Sequence, residues 1–224
     1  KKGWADSVKT LMDSLYDGQN VYFDYSAIRL EGARLMTMGG RASGPQPLIK
    51  LHDFIRETMH NAQGRQLTTL ECHDICNQIA EIVVVGGVRR SSQISLSDLQ
   101  DKDMRHAKDW PYPIKRAMAN NSAVYREKPS AADFLKEWGS LALSGTGERG
   151  IFNLEAAQSK APSRRYAPLI QGTNPCGEIM LRDMQFCNLS EVVLREDDDL
   201  DTLLDKVECA TWLGVIQSSF TDFP

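Results

Sequence analysis

The sequence predicts an α/β protein. Apolar residues at helical spacing alternate with short β-branched or alternating runs, and glycines or capping pairs mark the joints between them. Trp4, Val8, Leu11, Met12, Leu15 and Tyr16 make one helical stripe, which Gly18 stops. Residues 21–28, rich in aromatic and β-branched side chains, read as a strand. A glycine-rich loop spans 39–45. A helix over 47–59 follows, with Leu48, Leu51 and Ile55 on its buried stripe. Thr68 and Glu71 form a capping box for a helix running to about Val85, with Ile75, Ile79, Ile82 and Val83 buried and Gly86-Gly87 ending it. Cys72 and Cys76, four apart on that helix, are expected to share its buried face.

Ile94 and Leu96 alternate with serines, as in a strand. Residues 98–110 are polar and read as a surface connection, and 121–125 as the next strand. Ser130 with Asp133 starts a helix whose apolar face is Phe134, Leu135, Trp138, Leu141 and Ala142, and Gly145 and Gly147 stop it. A short strand spans 150–154, and 159–168 is a polar loop carrying Arg164-Arg165. Residues 187–193 read as a strand. Asp197 to Asp199 place negative charge at the start of a helix over 200–220, where the macrodipole favours it.

With 224 residues, 42% hydrophobic and 25% charged, the chain has the composition of a globular domain with a sizeable core. A formal net charge of −4 argues against general binding to nucleic acid or an anionic membrane. No apolar run approaches a membrane span. The five cysteines include no Cys-x-x-Cys pair, and the four histidines are scattered singly, so no metal ligands are assigned. An odd cysteine count fits a reducing compartment.

The chemistry-bearing stretch is Asn174-Pro175-Cys176-Gly177-Glu178, followed by Phe186-Cys187-Asn188-Leu189. In extended backbone Asn174, Cys176 and Glu178 share one face, placing a thiol beside a carboxylate able to move a proton. A turn over 180–185 would bring Cys187 back near Glu178. Taken alone, Cys187 reads as a small buried hydrophobe sooner than as a reacting thiol. Gly86-Gly87-Val88-Arg89-Arg90-Ser91 offers backbone amides and two guanidinium forks to phosphate or base edges, or else forms a helix stop and a solvated basic turn. In residues 39–45, Ser43, Gly44 and the loop amides line a site or merely permit a tight turn.

These motifs, with Lys2-Gly3-Trp4, Asp24-Tyr25-Ser26-Ala27-Ile28-Arg29, Asn120-Asn121-Ser122 and Gly147-Glu148-Arg149-Gly150, resemble in order and spacing the ribonucleotide reductases. The likeness is greatest to the adenosylcobalamin-dependent, monomeric triphosphate branch. It implies part of a ten-stranded α/β barrel with a central finger loop carrying the radical cysteine. Residues 1–224 are then expected to be the central part of one catalytic barrel domain, with N- and C-terminal parts absent and no turnover from the chain alone. Lys1 is not a methionine, and the family continues past Phe223-Pro224.

By the same resemblance, Cys176 is the thiyl site, Glu178 takes the 3′-hydroxyl proton, Asn174 orients the sugar, and Cys187 is one member of the reducing thiol pair. Arg89, Arg90, Gly86, Gly87, Ser91, Ser43, Gly44, Asn121 and Ser122 match substrate or effector contacts. The implied cofactor is adenosylcobalamin. Alternatives are a class I-type catalytic subunit, with no cofactor bound and its radical supplied by a metallo-subunit, and a non-catalytic nucleotide-binding module. Implied partners are a ribonucleotide substrate, a nucleotide effector, a thioredoxin-like or other dithiol reductant, and the remainder of the polypeptide. The implied location is the cytoplasm, or the host-cell cytoplasm for a phage protein. Arg149 replaces the proline usual in that motif and is expected to loosen its turn.

Overall fold

A computed structural model of the chain describes residues 2–36, 39–85, 88–89 and 91–220. Helix α1 spans Lys2–Tyr16, α2 Gln46–Asn61 and α3 Thr69–Glu81. Strands β1 (Val84–Val85), β2 (Val88–Arg89) and β3 (Gln93–Asp98) follow, then a short α4 (Lys102–Arg105) and a 3-10 turn over Ile114–Met118. The chain continues through β4 (Ala119–Tyr125), α5 (Ala131–Leu143), β5 (Gly150–Asn153) and α6 (Leu154–Ser159). It closes with β6 (Ile170–Thr173), β7 (Met180–Arg182) and α7 (Leu200–Ser218). The α/β class stands. The described strands form three separate sheets: an antiparallel β1-β2 pair, a parallel β3-β4-β5 sheet and an antiparallel β6-β7 hairpin. No closed barrel is present among the described residues. No described helix is long and apolar enough to cross a membrane.

Two apolar clusters hold the fold. In the first, Leu11 of α1, Leu48, Leu51 and Ile55 of α2 and Ile75 of α3 pack together. Residues 21–28 form turns and irregular chain rather than a strand. Their aromatic and branched side chains, Val21, Phe23, Tyr25 and Ile28, lie against this cluster, so packing on helices takes the place of a strand partner. His52 is fully buried here. Ser7 spends its hydroxyl hydrogen on the Trp4 carbonyl, so His52 Nε2 donates to Ser7 Oγ at 3.1 Å and Nδ1 accepts from the Tyr25 hydroxyl at 2.7 Å. The second cluster joins Val124, Phe152, Leu154 and Ile170, with Leu96 and Met180 against it.

Local start signals behave as read. Thr68 and Glu71 close a reciprocal capping box, and Arg65 together with the Thr68 N–H pulls the Glu71 carboxyl down to about 2. Ser130 caps α5, and Asp199 caps α7. Helix faces are less obedient. On α3 the buried residues are His73, Ile75, Asn77 and Ala80, whereas Ile79 and Val83 are exposed. The helix stops at Glu81, well short of Val85, and Cys72 and Cys76 sit on its exposed side. His73 and Asn77 are drawn inward because they bond each other at 2.9 Å and reach Ser95 and Gln93 of β3. Residues 98–110 are no mere surface connection: they form α4 and bury Met104, Arg105, Ala107 and Lys108. Residues 187–193 run without strand pairing.

On α5 the expected apolar face is turned out, with Leu135 65% and Trp138 53% exposed, while Glu137 is 1% exposed. Arg105 Nε donates to Glu137 at 2.8 Å and Arg149 Nε at 2.6 Å. Arg149 also binds Ser97 Oγ, the Asp98 carbonyl and the Leu99 carbonyl. Arg149 therefore does not loosen its turn; it ties α5 to the end of β3. Burial alone would raise the Glu137 pKa, but hydrogen bonds from Arg149 and Arg105 outweigh it and the pKa falls.

Removing one partner of this triad leaves a buried unpaired charge. Glu137→Ala should cost about 3–5 kcal/mol, read as a lowered urea midpoint, whereas replacing Arg105, Glu137 and Arg149 together by Leu or Met should cost less than the single change. Burial, followed by the Arg56 charge, lowers the His52 pKa below 6.5, and burial lowers that of His73. Between the folded value and 6.5 the unfolded chain binds more protons, so stability rises with pH in that window and erodes as pH falls below 6.5. Each histidine adds a slope of at most about 1.4 kcal/mol per pH unit. Urea midpoints between pH 7 and pH 5 should fall less steeply in His52→Gln than in the parent; equal slopes would contradict this.

Candidate active site

The β6-β7 hairpin sets the site. Its last pair is Thr173 with Met180, and the six residues between them make a tight cap. Asn174 closes that cap three ways. Its N–H donates to the Ile179 carbonyl at 3.1 Å, its carbonyl accepts from Gly177 N–H at 3.0 Å, and its side-chain Oδ1 accepts from Ile179 N–H at 3.0 Å. Gly177 has φ +90, which an L side chain rarely adopts, although the space around it is open. Proline at 175 and this glycine turn the chain, so the extended alternation expected from the sequence does not form. Asn174 points inward at 2% exposure, while Cys176 and Glu178 are exposed at the tip.

Cys187 arrives by a second turn. Gln185 N–H donates to the Arg182 carbonyl at 3.3 Å, Arg182 N–H donates to Gln185 Oε1 at 2.9 Å, and Met184 takes φ 56. The chain doubles back and sets Cys187 Sγ 3.6 Å from Asn174 Nδ2. Asn174 is thus the hinge of the site: its Oδ1 braces the cap and its Nδ2 faces the second thiol. Cys187 is half-buried.

The hairpin lies close against the parallel sheet. A Cβ on Gly172 would meet Leu96 Cδ1 at 2.9 Å, so any larger residue here would require the Leu96 side chain to move aside. At the sheet end, Asn120 Nδ2 donates to the Pro175 carbonyl at 2.7 Å. Strand alternation puts Ser122 on the Asn120 face and Asn121 on the other. Asn121 is 2% exposed and its N–H donates to Glu148 Oε2 at 3.0 Å; its side-chain amide has no hydrogen-bond partner among the described residues. Ser122 is half-buried, with its Oγ 3.0 Å from where a Cβ on Gly150 would lie. Glu148 also takes Lys108 Nζ at 2.6 Å, and that amine bonds the Ala119 carbonyl at 2.8 Å.

The remaining residues singled out in the sequence lie elsewhere. Gly86, Gly87 and Arg90 fall outside the described residues, and Arg89 is placed only as backbone in β2. Ser91 donates its hydroxyl to the Ala80 carbonyl at the end of α3. The 39–45 loop folds back on residues 30–35: Ala42 N–H bonds the Ala33 carbonyl at 2.7 Å, and Gly44, φ +72, sits against Glu31. Ser43 is half-buried in that loop. Cys209 is exposed on α7. Asn120, Glu148 and Lys108 were missed in the sequence. The period-two alternation, anchored on inward-facing Val124, was the signal that separates Asn120 and Ser122 from Asn121.

Residues 88–213 match the family model described as ribonucleotide reductase, barrel domain. Curated relatives named adenosylcobalamin-dependent ribonucleoside-triphosphate reductase include that of Levilactobacillus brevis, 35% identical over 212 residues, and that of Lactobacillus acidophilus, 33% over 214. The one from Lactobacillus leichmannii is 32% identical over 216. Each alignment covers 86% of this chain and 27% of the relative, so the chain spans about a quarter of the length of the curated relatives it matches. No solved structure matches it. With the family model covering residues 88–213 and the relatives agreeing, the chain belongs to the ribonucleotide reductase family.

Proposed function

We propose that this chain forms part of the catalytic centre of an adenosylcobalamin-dependent ribonucleotide reductase, acting on ribonucleoside triphosphates as the relatives' name indicates. The observation that carries the reading is the hairpin cap. It holds one thiol and one carboxylate out at its tip, Cys176 and Glu178, and a second thiol at its base against Asn174. The tip thiol is open to a reactive group bound outside this chain, which fits a cofactor delivered from elsewhere in the protein. Bound adenosylcobalamin supplies the radical that makes the Cys176 thiyl.

The residues then have distinct tasks. The Cys176 sulfur removes the ribose 3′-hydrogen. Glu178 takes the 3′-hydroxyl proton, which eases loss of the neighbouring 2′-hydroxyl as water. Cys187 and a partner thiol supply two electrons and two hydrogens, one leaving in the water and one joining the 2′ carbon, and end as a disulfide; Glu178 returns its proton to the 3′ oxygen and Cys176 its hydrogen to the 3′ carbon. Asn174 keeps an Nδ2–H for the sugar while its Oδ1 stays on the cap. Arg89 and Arg90, with the Gly86-Gly87 amides, and Ser91, Ser43, Gly44, Asn121 and Ser122 are the substrate or effector contacts that the resemblance to the family supports, although Ser91, Ser43 and Gly44 lie away from the hairpin.

The ten-stranded barrel, with the cap as its central finger loop, belongs to this reading. Exposed apolar residues on α5 and around α7 support cover by the remainder of the polypeptide. A nucleotide effector, a dithiol reductant and a cytoplasmic location complete it.

In the full-length protein, Cys176→Ala should abolish deoxynucleotide formation while nucleotide binding persists. Glu178→Gln should lower kcat by about 10²–10⁴-fold. Deoxynucleotide yield by chromatography, with adenosylcobalamin and a dithiol supplied, decides the matter: an undiminished yield from Cys176→Ala ends the proposal.

A further inference from the structure

We infer that Asn120 is a positioning residue for the Cys176 thiol, acting through the Pro175 carbonyl. This deepens the reading just given and rests on it. The cap is braced internally by Asn174, Gly177 and Ile179, but those bonds fix its shape, not its place. The hairpin base is located by packing: Ile170 and Met180 lie in the second apolar cluster, and Gly172 abuts Leu96. Beyond Thr173 the chain leaves that support. The Asn120 amide reaches across 55 residues of sequence to the peptide immediately before Cys176, at 2.7 Å.

The mount beneath Asn120 is stiff. Lys108 Nζ grips the carbonyl of Ala119 on one side, Glu148 grips the N–H of Asn121 on the other, and Lys108 and Glu148 pair at 2.6 Å with little exposure. Ile94 of β3 lies in register beside Asn120. Glu148 is itself next to Arg149, which is held by Glu137, the Ser97 hydroxyl and the carbonyls of Asp98 and Leu99. An asparagine on such a mount sets where the tip sits. Its bond is exposed, so its worth to stability is small; its effect is on placement, to which hydrogen abstraction is acutely sensitive.

The test uses the full-length protein and four variants. Asn120→Ala removes the donor, and Asn120→Asp keeps the shape but sets an acceptor against the Pro175 carbonyl. Asn120→His restores an N–H at the same distance along the side chain, and Cys176→Ala is the control. The Ala and Asp variants should lose about tenfold or more in kcat with KM for the nucleotide unchanged, and His should recover part of that loss. The rate of Cys176 alkylation by iodoacetamide, measured without nucleotide or cofactor, should change in Ala and Asp and return toward the parent in His. A Cys176→Ala protein that still makes deoxynucleotide defeats the underlying function. An inactive Cys176→Ala beside Asn120→Ala with parental kcat and alkylation rate defeats only the role of Asn120. A raised KM with unchanged kcat, or no recovery in His, also overturns it.

Discussion

The arrangement depends on one buried carboxylate shared by two guanidinium groups. Glu137 is fixed by Arg105 and Arg149, and the three come from α4, α5 and the turn before β5. Taking these charges out of water is unfavourable, and the structure offsets it by satisfying the guanidinium hydrogens on Ser97 and the carbonyls of Asp98 and Leu99. The geometric result is larger than the energetic one. With Arg149 held, its neighbour Glu148 is aimed at the start of β4, and the strand that carries Asn120 is registered against its parallel partners. A charge cluster remote from the thiol thereby contributes to where the thiol sits.

Two small clusters do the apolar work, and they do different jobs. The α1-α2-α3 cluster takes the buried histidine and most of the aromatic chain that follows α1. The second cluster is the seat of the hairpin. Neither accounts for α7, none of whose residues is buried although apolar side chains surround it. Apolar side chains spread around a helix are suited to cover on more than one face.

What could be read in the residues divides by range. Caps were legible because Thr68 and Glu71, or Ser130 and Asp133, satisfy each other within one turn. The pairing of a thiol with a carboxylate at Cys176 and Glu178 could be read from residue type and spacing, whereas Cys187 by itself read as a small buried side chain. Orientation was not. Glu137 looks like a solvent residue until Arg105, 32 positions away, and Arg149 are in place, and so the wrong face of α5 reads as buried. The alternation of Asn174, Cys176 and Glu178 was misread because pairing stops at Thr173 and the backbone turns instead of extending. Residues 21–28 have strand composition, yet composition names a preference for a flat apolar surface and the helices supply one.

The parallel sheet has a further consequence. Among the described residues β3 and β5 each pair along one side only, so each presents backbone donors and acceptors on its other side. Sheets of this kind are ordinarily enclosed on both faces and at their margins. Handled by itself, this stretch of chain would offer ready templates for pairing between copies, and its solubility would be governed by how those strand margins are capped.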